Sequence, residues 1–297
     1  MRINQSAPAP IDIFGVANIL GEGILWDSRR HALWWTDIQG RRLYRYDWAR
    51  ASLQTLDTPE RVGSFGLIAG SERLITAFAS GFALYDATGG TIDWLAPAEA
   101  LAPGLRFNDG RVDRRGRFWS GTMVEAEPRG TRGSLYSVAG AGEVRCHVRD
   151  IQIANGLCHS PDGGRLYFAD SAVRAIFVCE LLEPDGLLGR PALFARTPEG
   201  AFPDGATIDA DGCMWSAHWG AGCVVRYTPD GRIDRTLRIP TRQPSCVCFG
   251  GPDLDVLCVT SAREGLDDAA LNGEPNAGDV FLYRPGAQGL PESEYRT

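Results

Sequence analysis

The sequence predicts an all-β protein, a six-bladed β-propeller whose four-stranded blades form a closed ring. The main observation is a unit of about 45 residues that recurs six times along the chain. In addition, 36 Gly and 18 Pro make up about 18% of the 297 residues, against a usual ~12%. They are spread along the whole chain, whereas stretches with helical periodicity are scarce. This combination indicates many short strands joined by turns.

Each unit begins with a turn rich in Asp and Gly, and a strand with aromatic or aliphatic residues follows it. The six copies read DSRRHALWWTDI, GSERLITAFASG, DRRGRFWSGTM, SPDGGRLYFAD, DADGCMWSAHWG and GPDLDVLCVTSA. The residues taken as equivalent lie 40, 44, 48, 48 and 43 positions apart and are Trp35, Ile75, Trp119, Tyr167, Trp215 and Cys258. A β-solenoid usually has a shorter period, so the spacing favours a propeller.

A second strand-like segment follows each copy, and Gly, Asp, Asn or Pro turns bound these strands. The segments read RLYRYD, GFALYD, GSLYSV, AIFVCEL, CVVRYT and DVFLYR. Two further segments, ASLQTLDTPERV and REGLDDAALNG, are predicted to be short turns of helix at most, too little for the crossover helices of an α/β protein. Six blades use about 270 residues. Residues 1–297 are therefore expected to form one domain, with residues 12–20 completing the last blade and closing the ring.

The composition excludes several functions. All 30 basic residues are Arg, so a Schiff-base lysine, a pyridoxal enzyme of the usual kind and a Walker-type phosphate loop are excluded. The net charge is −7 with both signs interspersed, which argues against a nucleic-acid partner. No apolar stretch approaches ~18 residues, and the beginning of the chain lacks the apolar core of a signal peptide. We therefore expect a cytoplasmic protein without a membrane partner, either a monomer or a weak homo-oligomer.

Neither the Cys nor the His residues show the spacing of a metal site. The eight Cys contain no C-x-x-C pair and mostly lie in apolar strand-like runs, which predicts reduced, buried thiols. The four His show no H-x-x-x-H spacing, which disfavours a His-based zinc site.

The repeat also aligns a set of polar residues. Four units place an oxygen-bearing side chain 13, 11, 12 and 11 positions before the aligned aromatic residue, namely Glu22, Asn108, Asn155 and Asp204. The other two units offer Ser64 and Ser245, which are poorer ligands. Because equivalent positions in a ring of blades lie at the same height and radius, the four side chains are expected to meet on the axis. Hard oxygen donors of this kind suit Ca²⁺, Mg²⁺ or Mn²⁺ and also accept Zn²⁺ or Fe²⁺.

The alternative interpretation of these residues is ordinary turn chemistry, since Asn-Asp-Gly, Asn-Gly and Pro-Asp-Gly are common turn sequences. It is the interpretation adopted for Asp162, Asp211 and Asp230. The shared position within the repeat, rather than the residue type, separates the four candidate ligands from these turns.

At these residues the sequence resembles the regucalcin (senescence marker protein)/gluconolactonase family. The matching motifs are LGEGILWD, RFNDGRVD, GTM, GSLY, IANGLCHSPDG, FPDGATIDADGCMW, AHWGAG and CFGGPDLDVLCVTSAR, which occur in order along nearly the whole chain. The resemblance implies a six-bladed propeller that hydrolyses sugar lactones with one divalent metal on the axis. It implies that Glu22, Asn155 and Asp204 hold the metal.

The same resemblance implies that Arg106 and Asn108 contact the substrate. Some family members carry two adjacent acids after GTM, whereas this chain reads GTMVEAEP, so either Glu125 or Glu127 is the candidate for a further substrate contact. In the mechanism that we expect, the metal would polarise the lactone carbonyl, and Asp204 would also be the catalytic base for the attacking water. The hydrolysis product is an aldonate.

Three other residues near these motifs have competing interpretations. Trp219 either walls the cavity or packs between blades. His218 and His159 are interpreted as structural rather than as bases.

Three other functions compete with the lactonase. A calcium-binding regulator would use the same centre without catalysis, and a metal-dependent phosphotriesterase would use it on another ester. A propeller that serves only as a binding scaffold would not need carboxylates and amides on its axis. A lyase of the strictosidine-synthase type is disfavoured because such relatives lack the full metal set.

Overall fold

The computed structural model describes residues 9–97, 104–125, 132–184 and 186–297. Within them, 25 strands form six antiparallel sheets around a central axis, which confirms the predicted six-bladed propeller. Five sheets have four strands, and the fourth carries an additional strand of two residues.

The strands of each blade run outward from the axis in chain order, except that β1 (Asp12–Phe14) is the outermost strand of blade 6. Blade 1 contains β2 (Gly21–Asp27), β3 (Ala32–Asp37), β4 (Arg42–Asp47) and β5 (Ser52–Asp57). Blade 2 contains β6 (Val62–Leu67), β7 (Leu74–Phe78), β8 (Gly81–Tyr85) and β9 (Ile92–Pro97). Blade 3 contains β10 (Leu105–Val112), β11 (Phe118–Val124), β12 (Gly133–Ala139) and β13 (Glu143–Ile151).

Blade 4 contains β14 (Ala154–His159), β15 (Arg165–Asp170), β16 (Ala175–Leu182), β17 (Leu187–Leu188) and β18 (Ala192–Arg196). Blade 5 contains β19 (Phe202–Ile208), β20 (Met214–Trp219), β21 (Cys223–Tyr227) and β22 (Ile233–Arg238). Blade 6 contains β23 (Pro244–Gly250), β24 (Val256–Ser261), β25 (Val280–Tyr283) and β1 (Asp12–Phe14). A 3-10 turn covers Ser171–Val173, and α1 covers Asp268–Gly273.

The sequence repeat corresponds closely to the blades. All six aligned residues lie on the second strand of their blade, and all six strand-like segments after them contribute the third strand. The short helix predicted after Ser261 is α1, but the helical turn predicted around residues 51–62 is wrong, because residues 52–57 form the outer strand β5. Five of its six residues are exposed, so it lacks the apolar alternation by which a strand is recognised.

The ring is closed by strands from both ends of the chain. β1 pairs with β25, placing Ile13 opposite Phe281, and so supplies the outermost strand of blade 6. This arrangement confirms the closure predicted for residues 12–20 and covers an edge that would otherwise remain unpaired.

Six large apolar clusters form most of the core, each lying between two neighbouring blades, and a small seventh cluster packs against Trp219. Blades 1 and 2 share one that includes Phe65, for example, and blades 6 and 1 share one that includes Trp26 and Trp35. Each blade therefore depends on both neighbours for burial of its faces. The eight Cys are free thiols, and seven of them are buried.

The segment after β25, residues 289–297, crosses the lower end of the axis, where the inner strands finish. Glu292 forms an ion pair with Arg111, whose guanidinium also lies 3.4–3.5 Å from backbone carbonyls of blades 1, 5 and 6. Tyr295 is fully buried against blades 2 and 3, and its hydroxyl donates to the Gly140 carbonyl at 2.6 Å. No helix within the described ranges is long and apolar enough to cross a membrane.

Candidate active site

A cavity of about 330 Å³ opens at the upper end of the axis, where the inner strands begin. Its floor is polar and its rim is largely apolar. The lining residues are Leu20, Glu22, Arg106, Asn108, Met123, Ile153, Asn155, Ser171, Phe202, Asp204, Trp219 and Glu264. The four residues that the repeat aligned therefore come together in one place.

A β-bulge positions each of these four residues. Glu22 and Asn155 are the last paired residues before a bulge in β2 and β14. Asn108 and Asp204 lie inside the corresponding bulges of β10 and β19. Because a bulge leaves residues unpaired and bends the strand, the side chains turn toward the axis instead of into the blade interfaces.

Glu22 and Asp204 form a buried acidic pair on the floor of the cavity. They are only 5% and 7% exposed. Burial raises the pKa of Glu22, and the neighbouring carboxyl group of Asp109 raises it further. Burial also raises the pKa of Asp204, and Glu22 and Asp109 add to this increase. Arg106 offsets only part of this increase for Glu22, so positive charge balances the ionised pair incompletely.

These residues fit a divalent cation. Two carboxylates and the amide oxygen of Asn155 form a set of hard oxygen donors. The described residues contain no metal-binding cluster made only of His, Cys, Asp and Glu, so a site here depends on the amide as its third ligand. A cation would complete the positive charge that Arg106 supplies to the acidic pair of Glu22 and Asp204 only in part.

Hydrogen bonds between neighbouring blades fix the two amides. Arg106 Nη1 donates to Asn108 Oδ1 at 2.7 Å, and Asn108 Nδ2 donates to Asn155 Oδ1 at 2.7 Å. Asn155 Nδ2 donates to Ser171 Oγ at 2.9 Å, and that hydroxyl donates to the Pro203 carbonyl at 2.6 Å. This chain of donors orients the oxygen of each amide, and it couples Arg106 to the residue that precedes Asp204.

Glu125 lies behind Arg106 and is not among the residues that line the cavity. Its carboxylate accepts from Arg106 Nε at 2.8 Å and from both Nη atoms of Arg61 at 2.6 and 2.8 Å. Burial opposes ionisation of Glu125, but the two guanidinium groups lower its pKa overall. In this arrangement Glu125 holds Arg106 in place. The alternative candidate, Glu127, lies outside the described residues.

The aromatic and imidazole residues near the motifs occupy different environments. Trp219 lines the cavity and also packs against the small cluster of Leu20, Ile38 and Ala262, so both of its interpretations apply. His218 is buried beside the Tyr227 hydroxyl, 3.2 Å away, and His159 lines a separate cavity of about 20 Å³ below the site. Neither imidazole lines the upper cavity.

Sequence reasoning missed three polar residues of this region. Asp109 is a third buried carboxylate, which accepts from the backbone N–H groups of Gly110 and Leu157 at 2.8 Å. Its signal was the Asn-Asp-Gly motif, in which only the Asn was assigned. Ser171 and Glu264 line the cavity, but they lie after β15 and β24, outside the aligned positions, so the repeat gave no signal for them.

Comparisons with known proteins agree with this architecture. Residues 20–263 match the family model described as the SMP-30/gluconolactonase/LRE-like region. The chain is 39% identical to the L-arabinolactonase of Azospirillum brasilense, over 94% of this chain and 92% of that protein. It is also 39% identical to the 6-deoxy-6-sulfogluconolactonase of Pseudomonas putida, over 93% and 94%. The crystal structure of regucalcin, a calcium-binding protein from Agrobacterium tumefaciens, is similar with a TM-score of 0.91 at 34% identity, covering 97% and 98% of the two chains.

Proposed function

Because the chain belongs to the SMP-30/gluconolactonase/LRE-like family, we propose that it hydrolyses a sugar lactone to the aldonic acid with the help of one divalent metal ion. The observation that carries this proposal is the buried acidic pair of Glu22 and Asp204 beside Asn155 on the floor of the cavity. Two ionised carboxylates whose charge is only partly balanced are costly to bury, and a divalent cation would balance them while activating an ester substrate.

The metal would be held by Glu22, Asn155 and Asp204. Lewis acidity toward the lactone carbonyl and toward a nearby water is the chemistry that such a cation supplies when it is bound.

The protein's own groups carry the proton transfers. Asp204 accepts a proton from the attacking water as the new C–O bond forms at the lactone carbonyl carbon. The bond between that carbon and the ring oxygen then breaks, and the ring oxygen takes up a proton to become a hydroxyl group. The net reaction adds one water to the lactone and yields the open-chain acid.

Arg106 and Asn108 orient the substrate. Both are nearly fully buried, and their hydrogen bonds to each other and to Asn155 hold them before substrate arrives. Nη2 of Arg106 makes none of the hydrogen bonds found among the described residues, and a fixed donor of this kind stabilises developing negative charge without reorganisation. The apolar rim, which includes Met123, Ile153 and Phe202, covers the C–H faces of a sugar ring and limits access of bulk water.

The experiment that tests the proposal is the substitution Asp204→Asn. It preserves the size of the side chain and removes its charge, so we expect both divalent-metal binding and lactone hydrolysis to fall, the latter by on the order of 10³-fold. Metal binding is measured by calorimetry on chelator-treated protein, and hydrolysis with a pH indicator on a panel of aldonolactones. Asp211→Asn, at a turn residue 78% exposed at its side chain, is the matched control.

Parental lactone hydrolysis by a folded Asp204→Asn protein would falsify the proposed centre. Activity that survives verified metal removal would contradict the metal requirement. Metal binding without turnover of any lactone would instead favour the calcium-binding alternative, which the similarity to the regucalcin from Agrobacterium tumefaciens makes the second candidate.

A further inference from the structure

Glu264 is a cavity carboxylate that the proposed mechanism does not use. It follows β24 at the junction of blades 6 and 1, where its backbone N–H donates to the Ile19 carbonyl at 2.9 Å. Its own carbonyl accepts from Gln243 Nε2 at 2.9 Å, and its Oε1 accepts from Gln39 Nε2 at 2.8 Å. Backbone and side chain are therefore both fixed by polar contacts to the two blades, which is how a preorganised binding group is built.

The carboxylate of Glu264 retains free acceptor capacity. An ionised carboxylate offers about four lone-pair sites, and the amide of Gln39 occupies one of them. None of the ion pairs found among the described residues includes Glu264. Because the residue also lines the cavity, a bound ligand is the natural partner for its remaining lone pairs.

The cavity has walls of opposite charge. Arg106 is the one cation among the described lining residues, and it belongs to blade 3. Glu264 lies at the edge of blade 6, which stands opposite blade 3 in a ring of six. Three of the five N–H donors of Arg106 are already used, since Nε donates to Glu125 and Nη1 donates to Asn108 and to the Phe107 carbonyl. The Glu264 side of the described wall therefore accepts hydrogen bonds, whereas on the opposite side only Nη2 of Arg106 remains free to donate.

We propose that Glu264 is a specificity-determining residue, whose carboxylate accepts a hydrogen bond from a substrate hydroxyl and disfavours lactones with an anionic substituent. The substrate class is then a neutral polyhydroxy lactone rather than one that carries a phosphate, sulfonate or second carboxylate group. This inference rests on the proposed lactonase function. Its physical basis is that a like charge beside a fixed, partly desolvated carboxylate is repelled, whereas a hydroxyl donor forms a charge-assisted hydrogen bond.

The test compares two lactones that differ only at C6, glucono-1,5-lactone with its neutral hydroxyl and the 6-phosphate with its anionic, larger substituent. For the metal-loaded parental protein we expect kcat/KM for the neutral lactone to exceed that for the phosphorylated one by at least about tenfold. Glu264→Gln keeps the oxygen that Gln39 binds and removes the charge. It should reduce this preference about tenfold, mainly through a lower KM for the phosphorylated lactone, and the effect should weaken as salt is added.

The control variant is Glu143→Gln, at an exposed position of β13 away from the cavity; its preference should equal that of the parental protein. A parental protein that prefers the phosphorylated lactone, or a Glu264→Gln protein with an unchanged preference, overturns the proposal.

A binding measurement keeps this proposal separate from the proposed function. Glucitol and glucitol 6-phosphate cannot be hydrolysed, and their affinities for the metal-loaded protein are measured by calorimetry. Tighter binding of glucitol, with the difference reduced in Glu264→Gln, supports the role of Glu264 even if no lactone is hydrolysed. Tighter binding of the phosphate ester by the parental protein contradicts it, even if lactones are hydrolysed.

Discussion

At the scale of single residues, burial decides which groups carry charge around the axis. Glu22 and Asp204 have raised pKa values because they are buried close to another carboxyl group. Burial alone lowers the pKa of His218 to about 4. Under the proposed function the first two groups would exchange a proton for a cation, whereas His218 stays neutral throughout the neutral pH range and is unsuited to bind or release protons there.

The low pKa of His218 predicts that the folded protein loses stability as the pH falls. Its pKa is about 4 in the folded protein and about 6.5 in the unfolded chain, so between these values the unfolded chain binds more protons. Stability is therefore lost as the pH falls. Between pH 7 and pH 5 this one group lowers the free energy of unfolding by about 2 kcal/mol.

The variant His218→Gln has no titratable group at this position. Between pH 7 and pH 5 its free energy of unfolding should therefore fall by about 2 kcal/mol less than that of the parental protein. Urea unfolding at both pH values measures this difference. Parallel losses in the two proteins would contradict the assignment.

At the scale of elements, the β-bulges of the inner strands position the four candidate side chains on the axis. They explain why the candidate ligands lie 11, 12 or 13 residues before the aligned aromatic residue, since two of these ligands precede the bulge and two lie within it. Glycine is needed in one such bulge, because Gly156 has φ +63° and an added Cβ would lie 3.2 Å from the Asp204 carbonyl oxygen.

Gly156→Ala should therefore affect the site as well as the fold. Gly70 has a similar φ of +68° but no atom within 4 Å of an added Cβ, so Gly70→Ala is a matched control. Both substitutions should lower the free energy of unfolding by about 1–2 kcal/mol. Only Gly156→Ala should also weaken divalent-metal binding, by about tenfold, because it presses on the backbone of Asp204. Calorimetric titration of both variants tests this, and equal metal affinity in the two would refute it.

The elements also show how much of the structure could be predicted from the sequence. The repeat predicted that four side chains lie near the axis at one height, because equivalent blades place equivalent residues at the same height. They are Glu22, Asn108, Asn155 and Asp204. The repeat could not predict the hydrogen bond from Asn108 to Asn155, since that contact depends on the distance between two blades. Glu264 lies in an irregular segment with no counterpart in the other units, and β5 has no buried face that would mark it as a strand.

At the scale of the whole molecule, the ring is held by its interfaces and by both ends of the chain. Each apolar cluster joins two neighbouring blades, so no blade is stable by its own burial alone. β1 closes blade 6 from the outside, and residues 289–297 join other blades from below. In that segment the Tyr295 backbone pairs with Leu67 and Ala69 of blade 2, at 2.7 and 2.9 Å.

Among residues 289–297, we expect Tyr295 to contribute most to the stability of the ring. Tyr295→Ala removes a fully buried ring and should lower the free energy of unfolding by about 3–5 kcal/mol. Tyr295→Phe removes only the hydrogen bond to the Gly140 carbonyl and should cost about 1 kcal/mol. Chemical denaturation of both variants provides the measurement. If Tyr295→Ala lowered the free energy of unfolding by less than about 1 kcal/mol, residues 289–297 would not stabilise the packing of the blades as argued.

The ion pair of Arg111 with Glu292 also has a kinetic consequence. Within the part of the chain that the structure describes, this pair occupies the lower end of the axis, so we expect a ligand that enters the upper cavity to leave by the same opening. In the proposed hydrolysis, substrate and product would therefore exclude each other, and the acid would have to depart before the next lactone binds. Inhibition by the product should then be competitive, and a long sugar chain could not pass through the ring but could present only its end.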